Sequence, residues 1–98
     1  MRFLSRASTE QLQAALSHLE ATEPESPHVR GLQWLLGSGG SDAREATAVL
    51  HSEDPIMRKY GAVAAARMAK SNREPLLCAS SVEDSDVKDF ADSTIRLL

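Results

Sequence analysis

The sequence predicts an all-α fold, a solenoid of about three helix pairs stacked in one domain over residues 1–98. Apolar residues make up 42% of the chain but aromatic residues only 4%, so leucine, alanine and valine must fill the core, which favours closely packed helices. Residues that start helices recur along the chain. A couple of one apolar and one basic residue recurs about every thirty residues, as stacked repeats require.

The first helix pair is predicted over residues 8–37. Ser8 and Gln11 form a candidate capping box, and apolar residues follow at helical spacing. After a turn with two prolines, the second helix begins at Pro27 and is expected to end at Gly37 in the left-handed conformation. The residues before the pair either fold back on the start of its first helix or form a frayed terminus.

The second pair, over residues 42–71, follows the glycine-rich stretch 37–41. This stretch is expected to be the most flexible part of the chain and is a candidate hinge. It is not a phosphate-binding loop, because it has no Gly-Lys-Ser/Thr ending. Asp42 and Glu45 form a second candidate capping box, and Asp54 is expected to cap the next helix.

The helix that begins after Asp54 is the centre of the predicted fold. On a helical wheel its apolar residues fall on two faces, one with Tyr60 and Ala64 and another with Ala62 and Ala65. A helix with two apolar faces must contact neighbours on two sides. Its small residues let those neighbours approach closely.

The third pair, over residues 73–98, begins near Pro75, and Asp84 or Ser85 caps its second helix. The last leucines are expected to lie under the repeat or to meet a partner. A core stripe along this helix is predicted from Val87, Phe90, Ala91, Thr94, Ile95 and Leu98.

The apolar-basic couples define the repeat, because each lies in the first turn of the second helix of its pair. They are separated by 28 and 30 residues. Such a period is typical of a solenoid. The three couples are Val29-Arg30, Met57-Arg58 and Val87-Lys88.

On these residues the chain resembles the HEAT-repeat family, in the short bacterial style of phycobilin-lyase HEAT-like proteins. The stretch DPIMRKYGAVAAARMA, residues 54–69, is similar to the second-helix pattern of that family, with an acid, a proline, an apolar-arginine couple and an alanine run. The resemblance implies a short right-handed α-solenoid with repeats at about 8–37, 42–71 and 73–98. It also implies that the second helices line the concave side, but it specifies hardly any activity.

The resemblance implies a ladder of acidic and basic side chains between neighbouring repeats, with Asp54, Arg58 and Lys88 as its members. The helical wheel agrees for Arg58, which lies among alanines rather than on a polar face. We therefore expect these three residues to be structural.

A basic strip on the central helix is the candidate partner-binding surface. We expect it to face outward and to bind an acidic segment of another protein, although a solvated face balanced by nearby acids is the alternative. Trp34 is either an exposed anchor for a partner or part of the packing between repeats. The strip consists of Lys59, Val63, Arg67, Lys70 and Arg73.

The preferred function is a small protein-binding adaptor or scaffold, or a subunit or assembly factor of a larger complex, a homo-oligomer included. Nucleic-acid binding through the basic strip is a second hypothesis, for which the net charge of −3 gives no global support. An accessory role in chromophore attachment is a third, and it is implied by the resemblance alone.

No cofactor, metal site or enzyme activity is predicted. His18, His51 and Cys78 fall in three different helix pairs without the spacing of a zinc site, and no local motif for nucleophilic catalysis is present. No apolar run reaches the roughly 20 residues that span a membrane. A single cysteine cannot form an internal disulfide, which favours a cytoplasmic location.

Overall fold

The computed structural model describes residues 1–37 and 40–98, and within these ranges all regular structure is helical. The predicted all-α class is therefore confirmed. The candidate hinge lies partly outside the described residues. The helices are α1 (Arg2–Arg6), α2 (Thr9–Thr22), α3 (Pro27–Leu36), α4 (Ala43–Leu50), α5 (Pro55–Arg67), α6 (Glu74–Ala79) and α7 (Ser85–Leu97).

Side-chain caps start most of these helices, because the first amide groups of a helix have no partner within it. The predicted capping box of α2 is confirmed: the Gln11 N–H donates to Ser8 Oγ, and the Ser8 N–H donates to Gln11 Oε1. Asp54 caps α5 as predicted. Asp84, rather than Ser85, caps α7.

The predicted capping box of α4 forms only in part. Asp42 accepts from the amides of Arg44 and Glu45, but the Glu45 carboxylate does not return to the cap. It accepts instead from Trp34 Nε1, at 3.0 Å. Trp34 is half-buried against the core, so of its two interpretations packing between helix pairs is the one observed.

Two expectations at helix ends are wrong. Gly37 ends α3 with φ −89° rather than in the left-handed conformation. Glycine is favoured there by close packing, since a Cβ would lie 3.2 Å from the Gln33 carbonyl oxygen. In α7, Val87 and Ala91 are buried as predicted, but Leu98 is 49% exposed and does not belong to the core stripe.

Helix α5 packs against α1, α3, α4, α6 and α7, and its two apolar faces are confirmed. One face contributes Tyr60 and Ala64 to a core shared with leucines of α2 and α3. The other contributes Ala62 and Ala65 to a separate core that contains Val87 of α7. The alanine run therefore serves two cores at once.

Two glycines mark the closest approaches between helices. A Cβ at Gly61 would lie 3.1 Å from the backbone nitrogen of Leu50 and 3.3 Å from the Ala46 carbonyl oxygen, so the backbones of α4 and α5 nearly touch. A Cβ at Gly31 would overlap the ring of Tyr60. The missing side chains let α5 meet α4 and α3 at short range.

Along the chain, α2 packs with α3, α4 with α5, and α6 with both α5 and α7. Between the predicted pairs, α5 also contacts α3 and α7, and α4 contacts α6, whereas α2 and α4 make few or no close contacts. The molecule measures 36 × 26 × 21 Å along its principal axes.

Helix α1 belongs to none of these pairs and packs on α5. Met1 and Leu4 are half-buried against the core. The Arg67 guanidinium donates to the carbonyl oxygens of Leu4 and Ala7 at the end of α1. The first residues therefore fold back, but onto α5 rather than onto the start of α2.

Among the helices of residues 1–37 and 40–98, none combines the length and the apolar character that a membrane crossing needs.

Candidate functional site

The predicted basic strip does not form one outward surface. Val63 is completely buried in the core, and the Arg67 guanidinium is turned toward the carbonyl groups of α1. The expectation that these two residues face outward is therefore wrong. Of the other members, Lys70 and Arg73 are exposed in the segment that follows α5.

Lys59 is the remaining member of the strip, and it lies on the side of α5 that faces α7. Its Nζ is 3.9 Å from Asp86 Oδ2, and both side chains are well exposed. Such an exposed, long ion pair adds little stability. Lys59 is thus partly neutralised by an acid of this chain rather than left for a partner.

Helix α1 is the physical reason that Val63 and Arg67 do not face outward. It covers the sector of α5 that the helical wheel assigned to solvent. With only five residues, α1 is too short to show an apolar period or to be stable alone. Its place on α5 depends on contacts with residues about sixty positions away, which no local pattern indicates.

Arg58 joins two turns of the chain. Its Nε donates to Asp84 Oδ2 at 2.9 Å, and its Nη1 donates to the carbonyl oxygens of Ser52 and Glu53 at 2.9 and 3.2 Å. The acid that it meets is the cap of the following pair, not the cap of its own helix.

The other two predicted ladder members take no part in this contact. The ion pairs among residues 1–37 and 40–98 are Arg58–Asp84 and Lys59–Asp86, so neither Asp54 nor Lys88 forms one there. Asp54 accepts from the Ile56 amide, and Lys88 is exposed on α7.

The environment of Asp84 favours its charged form. The hydrogen bond from Arg58 is the main cause that lowers the pKa of the Asp84 carboxyl, and bonds from the amides of Val87 and Asp86 add to it, while burial acts in the opposite direction. The Arg58–Asp84 pair is therefore charged at neutral pH, and its role is to hold two turns together.

Tyr60 of α5 and His28 of α3 form a second polar contact, which is partly buried. Tyr60 Oη lies 2.9 Å from His28 Nδ1, and the two rings meet edge to face at 5.7 Å between centroids. Burial raises the pKa of Tyr60 to about 12. The phenol is therefore neutral at physiological pH and acts as a hydrogen-bonding core group, not as a base.

His51 and Cys78 come together although the sequence places them in different helix pairs. The distance between Cys78 Sγ and His51 Nε2 is 3.9 Å. A metal site needs further ligands, and the described residues hold no group of three or more His, Cys, Asp and Glu side chains around a common point. His18 lies apart, exposed on α2.

A groove of about 360 Å³ runs between α1 and α7, across α5. Helix α5 contributes Ala66 to its lining. The α1 wall carries Arg2 and Arg6, and the α7 wall carries Asp89 and Phe90. The groove therefore borders the predicted strip on α5 but is built mainly from the two helices that flank it. Its full lining is Arg2, Ser5, Arg6, Ala66, Asp89, Phe90, Ser93, Thr94, Leu97 and Leu98.

A second hollow lies beside the Arg58–Asp84 pair, and it is lined by polar groups of the two turns. Arg58 and Asp84, which line it, bond to each other, and Arg58 also bonds to the carbonyl oxygens of Ser52 and Glu53. This hollow is thus a consequence of the structural contact.

Exposed apolar side chains mark the groove as the better candidate. Among the described residues the large apolar side chains that are exposed are Phe3, Leu77, Leu97 and Leu98. Two of these four, Leu97 and Leu98, line the groove, whereas Phe3 lies at an adjoining hollow on α1 and Leu77 lies elsewhere. Apolar side chains that gather at one exposed place are typical of an interaction surface.

Comparison of the chain with family models, with curated proteins and with solved structures finds no match.

Proposed function

We propose that the chain is a short right-handed, HEAT-like α-solenoid that acts as a protein-binding adaptor or as a subunit of a larger complex. The groove between α1 and α7 is the surface that holds the other polypeptide. The observation that carries the proposal is the concentration of exposed apolar side chains, Leu97 and Leu98 above all, at that groove.

The packing order of the helices supports the solenoid part of the proposal. Consecutive helices pair, and α5 contacts the second helix of the pair on each side. The Arg58–Asp84 bond links the second helix of one pair to the cap of the next. Apart from α1, which packs on α5, the close contacts of the helices stay within a predicted pair or join neighbouring pairs, as in a solenoid.

The shape and chemistry of the groove support the binding part. Its lining combines the apolar residues Ala66, Phe90, Leu97 and Leu98 with Ser93, Thr94 and charged residues. An amphipathic helix can place its apolar face in such a groove and its polar residues at the rim. Nucleic-acid binding and chromophore attachment remain predictions, because no contact in the described residues favours either.

Site-specific photocrosslinking in the native cell tests the proposal. The photoreactive residue p-benzoylphenylalanine replaces Ser93, which is exposed in the groove, or Gln13, which is exposed on α2. We expect specific protein adducts from the Ser93 position and few from the Gln13 position. Equal labelling at both positions, or none at Ser93, would contradict the proposal.

Measuring how strongly the chain binds its ligand over a range of salt concentrations separates protein binding from nucleic-acid binding. Binding to a protein through this groove should weaken only modestly with ionic strength, because few charges line it. Binding to nucleic acid should weaken steeply, because counterions are released from the phosphates.

A further inference from the structure

The two walls of the groove carry opposite charge. Arg2 and Arg6 stand on the α1 wall and Asp89 on the α7 wall, and all three residues are exposed. The ion pairs in the part of the chain that the structure describes involve other residues, so these three charges lack a partner there. A ligand that fits the groove must offer an acid to one wall and a base to the other.

The exposed apolar residues are likewise divided between α1 and the end of α7. Phe3 of α1 is 65% exposed, on a side of the helix where Arg2 and Arg6 also line a shallow hollow. Leu97 and Leu98 of α7, 68% and 49% exposed, lie at the groove. Helix α1 thus carries a phenylalanine and two arginines, and the groove side of α7 carries an aspartate and, about two turns further on, leucines.

We propose that the groove binds a second copy of this chain, in a two-fold symmetric dimer in which α1 of each copy packs against the groove of the other. Arg2 and Arg6 of one copy then face Asp89 of the other, and Phe3 packs on Leu97. The inference rests on the proposed function, because it names the polypeptide that the groove holds.

The distribution of charge favours a second copy over an acidic partner. A two-fold interface requires a patch that is complementary to itself. A patch with a basic wall and an acidic wall meets this requirement, because the rotation places each wall opposite the other. A purely acidic segment would suit Arg2 and Arg6 but would be repelled by Asp89.

A charge-exchange experiment tests the dimer. One variant carries Arg2→Glu and Arg6→Glu, a second carries Asp89→Lys, and Arg44→Glu on the exposed side of α4 is the control. Sedimentation equilibrium measures the association constant of each chain and of an equal mixture of the two variants. Far-ultraviolet circular dichroism shows that each variant is folded.

We expect the wild-type chain and the Arg44→Glu control to dimerise. Each groove variant alone should associate at least about tenfold more weakly, because like charges then face each other. The mixture should recover the wild-type association to within about threefold, since both contacts of the mixed dimer join opposite charges. Recovery in the mixture would show that the charges meet between two chains, because charge pairing within a single chain could not restore the association.

A wild-type chain that stays monomeric up to about 1 mM would overturn the dimer. If the groove variants dimerise as strongly as the wild-type chain, or if mixing them does not restore dimerisation, the proposed interface is wrong. The outcomes remain separable from those of the proposed function, because the Ser93 crosslink gives an adduct of twice the chain mass for a second copy and a different mass for another protein.

Discussion

The guanidinium of Arg58 holds two turns of the chain in register. Its bond to Asp84 reaches the turn before α7, and its bonds to the Ser52 and Glu53 carbonyls reach the turn before α5. The side chains of Arg58 and Asp84 are only 25% and 13% exposed. Solvent therefore screens this pair less than it screens an exposed ion pair.

Substituting Arg58 by glutamine should lower the free energy of unfolding by about 1 to 3 kcal/mol, the usual contribution of a hydrogen bond to a charged group. Urea denaturation measures the change. Arg30 occupies the equivalent place in the first pair but is exposed, so Arg30→Gln is the matched control and should change stability little. Equal losses in the two variants would contradict the structural role of Arg58.

The same contact has a pH dependence of known sign. The Arg58 bond lowers the pKa of the Asp84 carboxyl from its ordinary value of 3.8, so its contribution is fully present above that value and is lost as pH falls through the lower pKa of the folded state. The stability difference between wild type and Asp84→Asn should therefore shrink only in that acidic range. If the stability difference instead shrank near neutral pH, a group other than Asp84 would be responsible for the pH dependence.

Tyr60 provides a direct test of core burial, because it is the only tyrosine in the chain. Burial raises its pKa from 10.0 to about 12, so its near-ultraviolet absorbance should titrate near 12 in the folded protein and near 10 in denaturant. Since the unfolded state loses its proton first, stability should fall as pH rises from about 10 toward 12. A folded-state midpoint near 10 would contradict the burial of Tyr60.

The residues that cap helices were accessible from sequence, whereas their distant partners were not. Ser8, Asp54 and Asp84 act within three residues of their own position, so local spacing predicts them. The Trp34–Glu45 and Arg58–Asp84 bonds join separate helices. The sequence indicates that such residues matter but not which groups they meet.

Helix α5 is organised by small residues on each of its packed faces. Gly61 lets the α4 backbone approach, and Gly31 of α3 makes room for the Tyr60 ring. The two apolar faces of α5 were predictable, because their residues repeat at helical spacing. The packing of α1 over the remaining face of α5 was not predictable, since the five residues of α1 are too few to show such a repeat.

Alanine at Gly61 or Gly31 should destabilise the protein even though alanine favours a helix more than glycine does. The propensity gain is about 1 kcal/mol, whereas overpacking at a close contact costs about 1 to 3 kcal/mol. Gly31→Ala should cost more, because the Tyr60 ring must move. Thermal unfolding measures both variants, and Ser17→Ala on the exposed face of α2 is the control. A rise in melting temperature for both glycine variants would contradict the packing of α5.

Helix α1 should depend on Arg67 for its order. Replacing Arg67 by methionine removes its bonds to the Leu4 and Ala7 carbonyls, each of which contributes about 1 kcal/mol. Hydrogen exchange at the Ser5 amide, which bonds to Met1 O, should speed up by about tenfold or more. Lys70→Met, at an exposed position, should leave this exchange unchanged. Unchanged exchange in Arg67→Met would show that other contacts hold α1.

Across the molecule, the sequence predicted the helix class and the central place of α5. The basic strip that it predicted on α5 does not coincide with the groove proposed to bind a polypeptide, because the groove is formed mainly by α1 and α7, with Ala66 of α5 in its lining. A surface built from both ends of a chain depends on long-range packing, which composition and periodicity do not encode.

Methyl-labelled nuclear Overhauser spectroscopy tests whether α5 packs between two separate cores. Packing on both faces predicts cross-peaks from Ala64 to leucine methyls of α2 or α3, and from Ala65 to Val87 or Leu76. The methyls of Leu32 and Val87 should show no cross-peak with each other. If Ala64 and Ala65 instead share the same neighbours in one closed bundle, the stacked arrangement and the groove that depends on it would both be contradicted.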